Sequence, residues 1–352
     1  MSDVVVGKRG VAAARPFSLW REDMITALCA TSLMIGLFID GWNHINLQNG
    51  ALGSFFTPWH GMLYAGFTAT ATWVMTRNPH IYHSRKHQAK PELHFVLGVP
   101  LRYPFALVGI AVATVGLVGD AIWHTALGEE QGVARVISPF HLLLFSGACL
   151  LIAAPFRSGW YASTIYPAIG TFRQIFPPLL SLTLVAALAA FMFQWLSAFL
   201  DWTPSLQIDR VPTALGEQER VQGTVEFAGV ARILVTNVIL IMPVFLALRR
   251  WRLPMGSVTF LFTTVAVSMA ALSEFRLGAT IIAAFAGGLA ADIVIKRLRP
   301  SPARPLAYRL IATLVPLATW STYFLVIWLA YDIVWPFDLW LGTSGATTTT
   351  RR

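Results

Sequence analysis

The chain has 352 residues, of which 56% are hydrophobic and only 12% charged, with a formal net charge of +9. Such a composition excludes an ordinary soluble domain, and the basic residues fall in five separate segments, so no single basic face is available for nucleic acid. Two cysteines, Cys29 and Cys149, are too few for a disulfide scaffold or a cysteine-rich zinc site.

Several apolar stretches reach the roughly 20 residues that a helix needs to cross a bilayer. Helices satisfy their own backbone hydrogen bonds in lipid. The expected fold is therefore all-α: a polytopic transmembrane bundle of about nine spans, at 22–46, 57–76, 103–126, 139–156, 175–200, 227–248, 256–275, 279–295 and 307–331. Residues 1–21 form a basic segment before the first span, and the late start of that span predicts no cleavable signal peptide.

Taken in order, the first span ends in Asp40-Gly-Trp-Asn-His44 and the second opens with Pro58-Trp-His60. A loop with His80, His83, His87 and His94 follows. Arg85, Lys86 and Lys90 lie among these histidines, so the loop reads as a solvated basic segment, not a metal tract. The third span ends in Asp120-Ala-Ile-Trp-His124, and the fourth opens with Pro139-Phe-His141. Glu129 and Glu130 lie between them and are placed to complete a site or move protons.

Beyond residue 157 the spans read as scaffold. Gln194 sits near the end of the fifth, Glu226 at the start of the sixth and Glu274 near the end of the seventh. Asp292 and Lys296 are spaced for an i, i+4 ion pair on the eighth. Glu274 and Arg276 are expected to pair across a tight turn. The segment 201–226 reads as an irregular loop, and 332–352 as a low-complexity tail.

Basic residues fall in alternate loops. Lys8, Arg9, Arg15 and Arg21, then Arg77 to Arg102, then Arg157 and Arg173, then Arg249 to Arg252, then Lys296 to Arg304 mark one side. The positive-inside rule places the N-terminus and those loops in the cytoplasm of a bacterial-type plasma membrane, with the C-terminus outside. The expected contacts are membrane lipids.

The constellation Asp-x-x-x-His followed by Pro-x-His occurs twice, about eighty residues apart. Asp40 and His44, like Asp120 and His124, share a helix face at i, i+4. Proline favours the first helical turn, so His60 and His141 begin the returning helices at the same depth. The segment 22–156 therefore reads as two helical hairpins related by a parallel internal repeat. Ionisable groups are costly near lipid, by roughly 2.5–3.5 kcal/mol at mid-bilayer, and mark functional sites. Asp40, His44 and His60, with Asp120, His124 and His141, are the candidate metal ligands. Two imidazoles and a carboxylate suit copper, iron or zinc. The same residues also fit a plain Asp–His hydrogen bond at a helix junction, or a proton path.

Asp40-x-x-x-His44 with His60 resembles the intramembrane metal motif of the C subunit of particulate methane and ammonia monooxygenases. The resemblance covers three residues per copy. This chain departs from it in the spacing of its last histidine, in doubling the motif and in its number of spans. It implies copper at Asp40, His44 and His60, and by repetition at Asp120, His124 and His141; monooxygenase activity does not follow. The expected function is an integral membrane metalloprotein with outward-facing sites and redox or oxygen-related chemistry. The chain carries no large soluble domain for electron delivery, so other membrane or electron-transfer subunits are expected. The alternatives are a non-catalytic subunit of a larger membrane complex, or a transporter of metal ions or protons.

Overall fold

A computed structural model describes residues 17–47, 57–77, 103–128, 136–165, 171–200, 218–301 and 304–331. The described residues form helices and no strand. The helices are α1 (Phe17–Asn46), α2 (Pro58–Arg77), α3 (Pro104–Leu127), α4 (Pro139–Ile152), α5 (Ala154–Ile165), α6 (Phe172–Met192), α7 (Gln218–Leu248), α8 (Ser257–Leu272), α9 (Thr280–Leu298) and α10 (Pro305–Tyr331).

Each of the nine apolar segments contains a helix. Six stretches are long and apolar enough to cross a membrane: Leu19–Asn46, Pro104–Ala126, Pro139–Ala162, Phe172–Met192, Phe227–Leu248 and Pro305–Tyr331. The other three fall short for physical reasons. The α8 helix has only 16 residues. The α9 helix carries Asp292, Lys296 and Arg297 near its end. The α2 helix mixes His60, four threonines and Arg77 with its apolar residues.

Two tight hairpins organise the first half. The α1 and α2 helices pack on each other, as do α3 and α4, while the two pairs share much smaller contacts. Close approach is set by glycine. A Cβ on Gly36 would stand 2.7 Å from the Leu63 Cα, and one on Gly116 would stand 2.8 Å from the Leu144 nitrogen. Each glycine lies four residues before a candidate aspartate, and each contact lies three residues after a candidate histidine. Small residues let apolar helices approach where no hydrophobic effect drives them together.

The fourth apolar segment does not run straight. Pro155 lacks the N–H that would continue the ladder, and its ring crowds the preceding turn. The Ser181 hydroxyl bridges the break: it donates to the Ile152 carbonyl at 2.6 Å and accepts the Phe156 N–H at 3.1 Å. The α6 helix, most of it buried, packs against α1, α5 and α8 and forms the middle of the bundle.

Three local expectations change. The fifth span ends at Met192, not 200, and gives way to a 3₁₀ turn at Gln194–Leu196. The α7 helix starts at Gln218, so Glu226 lies two turns inside it, not at its start. Asp292 spends its carboxylate on a neighbouring helix, not on Lys296. It accepts the backbone N–H groups of Gly256, Val258 and Thr259, each at 3.0 Å, and the Thr259 hydroxyl at 2.7 Å. An anionic side chain there caps the start of α8 and opposes its dipole. In the α8–α9 turn, where Glu274 and Phe275 have φ of 54° and 57°, the Arg276 Nε donates to the Ser273 carbonyl at 3.2 Å.

A second polar network lies at the far end of the hairpins. Asp23 is fully buried, accepts the Tyr103 hydroxyl at 2.5 Å and accepts the Ser158 hydroxyl at 2.9 Å. Nearby, the Trp73 indole donates to the Thr26 hydroxyl at 2.9 Å. At the same end Arg77, Arg157, Arg173 and Arg250 lie over the rings of Trp73, Phe105, Trp20 and Trp160. Cys29 and Cys149 are free thiols.

Candidate metal centre

The six expected ligands assemble into two triads, one in each hairpin. Asp40, His44 and His60 place ligand atoms within 4.8 Å of one another, and so do Asp120, His124 and His141. Both aspartates are buried, at 7% and 6% exposure, and the histidines are partly buried.

In the first triad the Nε2 atoms of His44 and His60 stand 3.6 and 3.5 Å from Asp40 Oδ2. In the second, His124 Nε2 and His141 Nδ1 stand 3.3 and 3.6 Å from Asp120 Oδ1. These separations exceed the usual 2.7–3.2 Å of a hydrogen bond. They match the edge of a ligand tetrahedron: two donors bound at about 2.0–2.2 Å to a tetrahedral ion stand roughly 3.3–3.6 Å apart. The spacing therefore suits a metal ion and equally a carboxylate–imidazole ion pair.

The returning histidine in each hairpin is fixed by its helix cap. Thr57 precedes Pro58 and takes the His60 N–H at 3.1 Å, with its hydroxyl also 3.1 Å from the His60 Nδ1. Ser138 precedes Pro139 and takes the His141 N–H at 3.3 Å, with its hydroxyl 2.8 Å from the His141 Nδ1. A hydroxyl on one ring nitrogen holds the ring plane, and at His60 it leaves the opposite nitrogen facing the carboxylate, as in the usual support of a metal-binding imidazole.

The two triads differ in one respect. In the first, Thr57 engages Nδ1 while the other nitrogen, Nε2, faces the carboxylate. In the second, the Nδ1 that faces Asp120 is the same atom that Ser138 engages. An ion at the second triad must compete with that contact or turn the ring.

Both triads open on one cavity of about 370 Å³. Its walls are mainly apolar and include Leu37, Leu63, Leu117, Leu144, Phe145 and Phe191. Tyr64, Gln194 and Trp195 also line it. The Tyr64 ring stacks on His60, with centroids 5.9 Å apart and planes 10° from parallel. The corresponding position after His141 is Phe145, at 6.4 Å. The early end of α6 brings Gln194 and Trp195 to the cavity.

Glu129, Glu130, His80, His83, His87 and His94 lie outside the described residues. Sequence reasoning passed over Thr57, Ser138, Tyr64, Trp195 and Asp23, and left Gln194 as scaffold. Thr57 and Ser138 had a signal, a hydroxyl residue immediately before a helix-starting proline in both hairpins. No protein-family model, no curated protein and no solved structure matches this chain.

Proposed function

We propose that this chain is an integral membrane metalloprotein that holds one metal ion in each Asp/His triad, with redox or oxygen-related chemistry in the cavity between them. The observation that carries this reading is the spacing of 3.3–3.6 Å between carboxylate and imidazole atoms in two independent triads. Asp40, His44 and His60 hold one ion, and Asp120, His124 and His141 the other. Three protein ligands leave coordination positions open for water or substrate, the pattern of reactive sites and not of closed structural ones.

Copper is favoured over iron and zinc. A donor set of imidazole and carboxylate without thiolate binds divalent copper most tightly in the Irving–Williams order. The motif-level resemblance to the copper-binding C subunit points the same way. The two hairpins are read as copies of one unit, because the glycine contact, the capping hydroxyl, the proline and the triad recur in the same order. Arginines at the end opposite the triads favour a cytoplasmic location for that end, and so sites that face outward.

Elemental analysis of the purified chain tests the reading. We expect two metal ions per chain, falling to one in His44→Ala and one in His124→Ala, with helical content unchanged by circular dichroism. A wild-type chain purified without metal, and unable to take up Cu²⁺, iron or Zn²⁺, would leave the triads as plain polar helix junctions.

A further inference from the structure

We infer that the two triads form one two-ion centre, which takes a single small anion between its ions with the Tyr64 hydroxyl as that anion's hydrogen-bond donor. The inference rests on the metalloprotein reading above and adds that the two sites act on one shared ligand.

Three observations carry it. The first is a shared space. All six triad residues line the same cavity of about 370 Å³, large enough for one small molecule. Ions held by the two triads would both face that one space.

The second is charge. Among the described residues lining the cavity, the only carboxylates are Asp40 and Asp120. Two divalent ions beside two carboxylates leave two positive charges uncompensated. The surrounding walls are apolar, and a low dielectric makes uncompensated charge expensive. The centre therefore selects an anionic oxygen or nitrogen donor over a neutral ligand.

The third is asymmetry. Tyr64 lies one turn beyond His60 and stacks on its ring, while the second hairpin has Phe145 at that position. Among the described residues lining the cavity, the phenolic O–H thus comes from the first hairpin alone. Gln194 adds an amide from α6.

The test uses the full chain in lipid nanodiscs, Cu²⁺ as the metal and azide as the anion. We expect two Cu²⁺ per chain, with an electron paramagnetic resonance spectrum split by the dipolar interaction of two nearby ions. That splitting disappears in His44→Ala and in His124→Ala. One azide binds per pair of ions. Tyr64→Phe leaves copper content and splitting unchanged but weakens azide about tenfold, the worth of one hydrogen bond to a charged acceptor. Two coppers without mutual splitting, a single copper per chain, or two independent azide sites would overturn the two-ion centre and leave a metalloprotein. Unchanged azide affinity in Tyr64→Phe would remove the hydroxyl from the scheme. A chain that takes up no copper, iron or zinc removes the metalloprotein reading, and this inference with it.

Discussion

The histidine of each returning helix depends on the residue before the proline. The hydroxyls of Thr57 and Ser138 each do two jobs, accepting a backbone N–H and holding a ring nitrogen. Thr57→Ala is expected to cost about 1 kcal/mol through the lost cap and to weaken metal at the first triad by roughly 10–100-fold. Thr57→Ser should restore both, and a Cu²⁺ titration of the three proteins reads the difference. The two triads should also fill in order. Ser138 sits on the nitrogen that faces Asp120, so the second triad is the less prepared one, and the first Cu²⁺ added should go to Asp40, His44 and His60. Tighter Cu²⁺ binding in His44→Ala, which keeps only the second triad, than in His124→Ala, which keeps only the first, would show the reverse order. The two groupings of Asp and His were legible from spacing, because i, i+4 places Asp and His on one face and proline marks where the next helix starts. Asp292 shows where spacing misleads. It, too, has a partner at i+4, but its carboxylate goes to the start of α8, which no pattern along α9 reveals.

At the scale of the helix, the triads exist because two helices come together closely enough to join three side chains. Gly36 lies one turn before Asp40 and meets the backbone of α2. Gly36→Leu should force α1 and α2 apart, separate His60 from Asp40 and abolish metal at the first triad while the second keeps its ion. Gly61 supplies the control. It is adjacent to His60, yet a Cβ there meets nothing within 4 Å, so Gly61→Ala should leave both metals bound. Equal metal loss in the two variants would mean that helix contact does not build the site. All nine apolar segments were readable as helices from composition, because length and hydropathy decide that much. Their ends were not. The α6 helix was expected to continue through Gln194, and the turn that sends Gln194 and Trp195 to the cavity carries no proline or glycine to announce it. Pro155 did announce the break between α4 and α5, but its repair by Ser181 is a tertiary contact with another helix.

For the molecule as a whole, the question is what keeps the two hairpins facing each other. Their direct contacts are slight, and the cavity lies between their triads. At the opposite end Asp23 of α1 is bonded to Tyr103 at the start of α3 and to Ser158 of α5, so one buried carboxylate ties the first hairpin to the second and to the helix after it. Two hydrogen bonds to a buried charged acceptor are worth on the order of 3 kcal/mol together. Asp23→Ala should therefore lower the thermal midpoint of the purified chain. Each triad lies wholly within one hairpin, so both ions should remain bound. Only the separation of the hairpins is released, and with it the separation of the ions. The dipolar splitting of the doubly loaded protein should broaden or weaken while copper stays at two per chain. Tyr103→Phe, which removes one bond and keeps the ring, should give a smaller change in the same direction. If Asp23→Ala lost copper from one triad instead, the buried carboxylate would be supporting the interior of a hairpin. An unchanged splitting would mean that α6, which packs against α1 and α5, holds the hairpins in register without the clasp.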